Sequence, residues 1–180
     1  MRIVSGKYKG RIFHPPKNIR ARPTTDFAKE NLFNILENQK ELEGLKALDL
    51  FAGTGNISFE LISRGCAGVV AVEKVARHVA FIHRVTEQLE ISNLHIIKKD
   101  AFQYLRTCRE SFDIIFADPP YRLTGAEEIP EMVFDRKLLN NKGILILEHD
   151  KNIRLKDTRY LTDQRKYGTV HFSFFSSPTD

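Results

Sequence analysis

The stretch Lys46-Ala47-Leu48-Asp49-Leu50-Phe51-Ala52-Gly53-Thr54-Gly55-Asn56-Ile57 decides the fold. Ala47 to Phe51 is a brief apolar run that reads as a strand, and Ile57 to Ser63, beyond the glycines, reads as a helix. Gly53 and Gly55 permit a tight turn between them and let a ligand come close to the backbone. Strand, glycine turn and helix make the first step of a parallel α/β sheet, and the chain repeats that step. Val69 to Val72, Leu94 to Ile97, Phe112 to Ala117 and Ile144 to Leu147 are further short runs, β-branched or aromatic as strands buried on both faces should be. Arg77 to Leu89, Ala101 to Cys108 and Glu127 to Leu139 read as the intervening helices. Val79, Ile82, Val85 and Leu89 give the first of these one apolar stripe. Gly65 and Gly143 are placed as helix stops. After Glu148 the alternation ends: Tyr160 to Tyr167, then Gly168, then Val170 to Phe175 predict an antiparallel pair at the sheet edge.

Upstream of the sheet, Thr24-Thr25-Asp26 is a helix-start signal, and Ala28, Leu32, Ile35 and Leu36 supply an apolar face. The expected organisation is one domain over 1–180. It has a basic, hairpin-like extension over 1–22 with turns at Gly6 or Gly10, a helix over 24–39, and a parallel-sheet α/β core over 46–176.

Composition narrows the function classes. The 180 residues are 42% apolar and 28% charged, with 10 Gly and 7 Pro, which is the profile of an ordinary soluble globule. The longest apolar runs, such as Ile144 to Leu147, fall far below the ~20 residues that cross a bilayer, so no membrane span is expected. Met1 to Ser5 does not read as a secretory signal. Cys66 and Cys108 stand in no paired-ligand spacing and fit a reducing, cytoplasmic compartment. The net charge of +5 is unevenly placed: residues 1–25 carry seven basic groups and no acid, whereas the remainder holds 21 basic and 23 acidic groups. Such a segment, with Tyr8 and Phe13 interleaved, suits a polyanion or is simply a solvated arm.

Asp49, Glu73, Asp100, Asp118 and Glu148 each sit at or just past the carboxyl end of a predicted strand. In an open parallel sheet these ends share one edge, where ligands bind. Any one acid could be a helix cap or a turn former; five together predict an acidic cleft that repels phosphate-rich cofactors. The glycine loop agrees. The dinucleotide fingerprint needs a third glycine where Ser58 stands, and the loop lacks the lysine and the spacing of a P-loop. Asp49 beside a pyrophosphate would also cost energy. S-adenosylmethionine fits instead, with its sulfonium, its ammonium, two ribose hydroxyls and an adenine amino group. Glu73 is placed to accept from both ribose hydroxyls, Asp100 from the adenine amino group, and the Ala101 amide to donate to the ring.

The fourth strand ends in Asp118-Pro119-Pro120-Tyr121. The prolines hold the backbone extended and remove two donors, so the Asp118 carboxylate and the Pro119 carbonyl can both face outward as acceptors. Two converging acceptors select a planar NH2 group, and Tyr121 offers a face for a flipped-out base, worth ~1–3 kcal/mol. The plainer reading is a rigid turn with a surface tyrosine. The histidines at 14, 78, 83, 95, 149 and 171 are scattered, so no metal site or Ser-His-Asp arrangement is expected, and His149 and His171 are read as structural or exposed.

Taken in order, these residues resemble the class I methyltransferases that modify exocyclic amino groups. A closer resemblance rests on Gly6-Lys7-Tyr8-Lys9-Gly10, Arg22-Pro23-Thr24-Thr25-Asp26 with Lys29-Glu30 and Leu32-Phe33-Asn34, Phe51 to Gly55, and Tyr167-Gly168. The chain is similar in these blocks to the bacterial small-subunit 16S rRNA guanine-N2 methyltransferase D family. Tyr8 stands where that family often has Trp. The resemblance implies a seven-stranded, Rossmann-like, mostly parallel sheet, S-adenosylmethionine as donor, and one loop guanine of 16S rRNA, free or in the small ribosomal subunit, as acceptor; the chain is expected to act as a monomer. It further implies Asp49, Gly53 and Gly55 at the methionine end, Glu73 at the ribose, Asp100 and Ala101 at the adenine, and Asp118, Pro119 and Tyr121 on the guanine. Arg22, Thr24 and Asp26 would bridge the arm to the cleft, with Lys7, Lys9 and Arg11 on RNA phosphates. Rival readings are an N6-adenine methyltransferase on DNA or RNA, a glutamine methyltransferase acting on proteins, and a noncatalytic RNA-binding protein; an NAD dehydrogenase is disfavoured by Ser58.

Overall fold

A computed structural model describes residues 1–16, 26–121, 123–151, 153–155 and 159–177. Its centre is a seven-stranded sheet in the order β3-β2-β1-β4-β5-β7-β6. The strands are β1 (Lys46–Asp49), β2 (Gly68–Glu73), β3 (Leu94–Lys98), β4 (Phe112–Ala117), β5 (Leu139–His149), β6 (Leu161–Tyr167) and β7 (Val170–Ser176). β1 to β5 pair in parallel; β7 runs antiparallel between β5 and β6. The chain leaves β1 towards β2 and β3, then returns to β4 on the other side. That reversal opens a crevice above the carboxyl ends of β1 and β4, where ligands bind in such sheets.

The helices are α1 (Asp26–Gln39), α2 (Asn56–Ser63), α3 (Ala76–Gln88), α4 (Ala101–Thr107) and α5 (Ile129–Asp135). One apolar layer joins Leu32, Phe33 and Leu36 of α1 with Phe59 of α2 and Ile82 and Val85 of α3. The opposite layer packs Tyr104 and Leu105 of α4 and Ile129 and Val133 of α5 against Ile115 and Leu145. Both faces of the sheet are covered, which accounts for strands that lack polar alternation.

Two boundaries differ from expectation. The helix expected over Glu127 to Leu139 divides into a 3-10 turn (Ala126–Glu128) and the shorter α5, and Lys137 turns out at φ +53°. Leu138 and Leu139 continue the apolar pattern of a helix, but tertiary pairing takes them: the Phe112 amide donates to the Leu138 carbonyl at 2.9 Å, and Leu139 starts β5. Gly143 is therefore a strand residue and not a helix stop. A Cβ there would lie 2.8 Å from the Asn140 oxygen and 3.0 Å from that of Phe112. Gly65, at φ +99°, does follow the end of α2.

The arm is a docked hairpin. The Ile3 amide donates to the Arg11 carbonyl at 3.0 Å, the Phe13 amide donates to the Met1 carbonyl at 2.9 Å, and Gly6 and Gly10 take positive φ at the turns. Ile3 is buried in the first apolar layer, and Tyr8 and Phe13 pack against that layer. Those two aromatics therefore serve packing first. The Glu60 carboxylate of α2 accepts from the Val4 and Ser5 amides at 2.9 and 3.0 Å, while the Ser63 hydroxyl accepts from the Tyr8 amide. A Cβ on Gly6 would overlap the Ser63 carbonyl, so only glycine lets the arm lie this close. Glu60 also pairs with Arg64 at 2.9 Å and with Lys29 of α1 at 3.3 Å, both carboxylate and ammonium being 0% exposed. Lys29 donates in addition to the Arg2 carbonyl and to Asn56 Oδ1. Burial lowers its pKa, with Glu60 opposing. Arm, α1 and α2 are thus locked by one buried polar network.

Candidate active site

Above the crevice lies a cavity of about 570 Å³, of a size that holds a small-molecule ligand. Glu73 ends β2, Asp100 follows β3, Asp118 follows β4 and Glu148 lies near the end of β5; all four line the cavity. The topology gathers them because parallel strands put every carboxyl end on one rim.

Asp49, the fifth acid, is not among the lining residues. It is buried beneath the glycine loop, where Oδ2 accepts from the Ser58 amide at 3.1 Å and from its hydroxyl at 2.6 Å. Its Oδ1 is buried without a hydrogen-bond partner. Burial, with a lesser contribution from Glu73, pushes its pKa up to about 6 against the pull of the Ser58 bonds. The two glycines divide the work. Gly53, at φ +54°, lines the cavity, and a Cβ there would meet nothing nearer than 4.0 Å, so its surface is open to a ligand. Gly55 instead fits against α2 and α3: a Cβ would lie 2.7 Å from the Phe59 ring and 3.3 Å from Ile82.

Glu73 is fixed by the chain around it. Oε2 accepts from the Gly53 amide at 2.9 Å and Oε1 from the Val75 amide at 2.7 Å, leaving further lone pairs on each oxygen. Asp100 caps α4 through Oδ1, which accepts from Phe102 and Gln103 amides, while Oδ2 stands 4.0 Å from Lys74 Nζ. Helix cap and ligand acceptor are compatible here because they use different oxygens. Ala101 is buried on the cavity wall. Asp118, Pro119, Pro120 and Tyr121 all line the same space, with Pro119 buried and Tyr121 44% exposed.

The set fits S-adenosylmethionine. Four buried or half-buried carboxylates, Glu73, Asp100, Asp118 and Glu148, supply negative potential and acceptors, and Gly53 leaves room for a close approach. Among the described residues, no group of three or more metal-ligating side chains comes together, and no helix is long and apolar enough to cross a membrane.

Lys7, Lys9 and Arg11 are exposed on the arm and do not line the cavity. Asp26 joins the arm to α1 by a 3.0 Å pair with Arg2. Arg22 and Thr24 lie outside the described residues. Several cavity residues escaped the sequence reading: His78 of α3, whose Nδ1 is 3.4 Å from Glu73 Oε2, Phe27 of α1, and the β6–β7 turn from Tyr167 to Val170. His78 could have been found as a first-turn residue of the helix after Glu73. Phe27 and Tyr167 are far apart in the chain, and although Tyr167-Gly168 belongs to the blocks behind the resemblance, nothing local in the sequence brings the two rings together. His149 and His171 stack at 5.7 Å, and His149 bonds Ser173 at 2.8 Å, which is a structural role.

The model of the family described as "Conserved hypothetical protein 95" matches residues 1–176. "Ribosomal RNA small subunit methyltransferase D" of Buchnera aphidicola is 28% identical over 179 residues, covering 97% of this chain and 91% of the relative. The Escherichia coli K12 protein of the same name is 29% identical over 150 residues, 83% of this chain and 75% of its own. A solved structure named "Putative methyltransferase yhhF from Escherichia coli" superposes with a TM-score of 0.85 at 26% identity, over 97% of this chain and 96% of that one.

Proposed function

The chain belongs to the Conserved hypothetical protein 95 family, and from that premise and the cleft we propose that it is an S-adenosylmethionine-dependent methyltransferase acting on the exocyclic N2 amine of a guanine in small-subunit rRNA. One observation carries the reading: Glu73 and Asp100, after β2 and β3, and Asp118 to Tyr121, after β4, line one cavity. The similar chains named for small-subunit rRNA methylation support the RNA, and the exposed cations of the arm suit its phosphates. We place the protein in the cytosol, acting as a monomer on 16S rRNA or the small subunit.

When bound, S-adenosylmethionine supplies an electrophilic methyl group on a positively charged sulfur. Gly53 lets the donor approach the backbone, with Asp49 and Gly55 holding the loop beneath it. Glu73 accepts from the ribose hydroxyls, and Asp100 Oδ2 and the Ala101 amide take the adenine edge. Asp118 and the Pro119 carbonyl accept the two protons of the guanine N2 amine. Those bonds orient the amine so that its lone pair points at the methyl group, and orientation of this kind can lower a barrier by ~7–11 kcal/mol. The Asp118 carboxylate also stabilises the positive charge that grows on the nitrogen. Tyr121 stacks on the extruded base. Lys7, Lys9, Arg11 and Arg22 hold phosphates, with Thr24 and Asp26 joining arm to cleft.

The test is incubation with methyl-labelled donor and free rRNA, small subunits or DNA, followed by digestion to nucleosides. N2-methylguanosine from rRNA is expected. Label in N6-methyladenine, in DNA alone, or nowhere, overturns the assignment.

A further inference from the structure

We propose that Phe27 and Tyr167 form a second stacking platform, which takes the unpaired nucleobase next to the acceptor base. The proposal rests on the RNA reading above and names a subsite of that cleft. Three large apolar side chains are exposed among the described residues, Ile12, Phe27 and Tyr121, and two of them border the same cavity. Phe27 stands 66% exposed in the first turn of α1 while Ala28, Leu32 and Leu36 take the buried side of that helix. An aromatic left in water at the mouth of a ligand cleft points to contact with a ligand.

The ring is held in place. Phe27 meets Tyr167 edge to face, centroids 6.3 Å apart at 79°, and Tyr167 leans on the buried Phe172 at 6.2 Å. An edge-to-face pair occupies at most one face of one ring, so ring surface remains for a base, and its ordering cost is already met.

The position matches a neighbouring nucleotide. Tyr167 ends β6 at the tight turn into β7, and β6 lies three strands from β4, roughly 14 Å along the rim from Asp118 at ordinary strand spacing, a gap that the side chains on either side narrow. Glu73 and Asp100 follow β2 and β3, on the far side of β1. The aromatic pair therefore flanks the acceptor clamp on the side away from the donor. Arg2 is kept beside Phe27 by its 3.0 Å pair with Asp26, is half-exposed, and has more N–H donors than that pair uses, so it suits the phosphate joining the two nucleotides. Stacking accepts any base, so the subsite requires an unpaired neighbour without specifying its identity.

The chain contains no tryptophan, so Phe27→Trp places a sole indole at this point. The probe is a ten-nucleotide single-stranded RNA with one central guanine, alongside copies carrying an abasic nucleotide on its 5′ or its 3′ side. Indole fluorescence should be quenched by the intact strand and by one abasic strand, and not by the other. Phe27→Ala should weaken binding of the intact strand about 5- to 150-fold, with donor affinity unchanged, and Phe27→Tyr should restore it. The critical abasic nucleotide should cost the parent protein the same factor and cost Phe27→Ala nothing further. Equal RNA affinity in Phe27→Ala, or penalties that multiply when the two changes are combined, overturns the platform. Failure of the guanine assignment gives a different signature, the wrong methylated nucleoside in the product analysis, and leaves the abasic comparison to decide the platform.

Discussion

Glu60→Ala should be among the most damaging single changes in the chain, and the structure sets its size. The carboxylate is fully buried and meets four donors: the Val4 and Ser5 amides, Arg64 Nε and Lys29 Nζ. Without it, the buried Lys29 ammonium keeps as hydrogen-bond partners among the described residues the Arg2 carbonyl and Asn56 Oδ1, both neutral, and two arm amides lose their acceptor. Removing one partner of a buried ion pair costs ~3–5 kcal/mol, and an unsatisfied amide adds ~1–3 kcal/mol, so a loss of about 4 kcal/mol or more is expected. At 2–4 °C per kcal/mol for a chain of this size, the melting temperature should fall by about 8–16 °C. Lys29→Met should cost less, because Glu60 then keeps Arg64 and both amides. Urea unfolding followed by far-ultraviolet circular dichroism measures both variants. A loss below ~1 kcal/mol in Glu60→Ala, or a larger loss in Lys29→Met, would show that the network does not hold arm and core together. Lys29 also gives a pH signature. Its folded pKa lies below the usual 10.5, so the burial penalty is present at neutral pH and is relieved as pH rises towards 10.5. The parent protein should gain stability relative to Lys29→Met across that window.

Asp118→Ala should abolish methyl transfer and leave donor affinity, measured by calorimetry, within about twofold; unchanged turnover would remove Asp118 from the mechanism. Asp49 holds its proton up to about pH 6 when folded, against 3.8 ordinarily, so it lowers stability by ~3 kcal/mol as pH rises from about 4 to about 6. Asp49→Asn should flatten that slope in denaturation curves taken across the range, and an unaltered slope would assign it elsewhere. Replacing Lys7, Lys9 and Arg11 together by Ala should reduce the slope of log K against log salt by ~0.7–0.9 for each phosphate that the arm no longer neutralises, without lowering the melting temperature. An identical slope would make the arm a packing element only.

The arm also separates what local sequence reveals from what it hides. Its charge, its hairpin and a turn at Gly6 or Gly10 are legible in the sequence, and charge alone makes it look like a detachable RNA-binding tail. Burial of Ile3 and the grip of Glu60 on Val4 and Ser5 make it part of the core instead. No local pattern announces that a lysine in α1 and a glutamate in α2 will meet in the interior, because a buried ion pair depends on two helices packing side by side.

By itself the sequence determined the strand and helix alternation, the glycine loop, and the residue types at the carboxyl end of each parallel strand. Those are short-range properties, set by hydrophobic period and turn chemistry. They were enough to place Glu73, Asp100, Asp118 and Glu148 on one rim, since a parallel sheet leaves no other arrangement. Tertiary structure alone decided that Asp49 sits beneath the loop rather than on the cavity wall, that Gly55 serves helix packing while Gly53 faces the cavity, and that α5 stops early so that Leu139 can pair with β4. It also brought Phe27 to Tyr167. Each of these turns on which side of an element faces which neighbour, and contacts between residues remote in the chain settle that question.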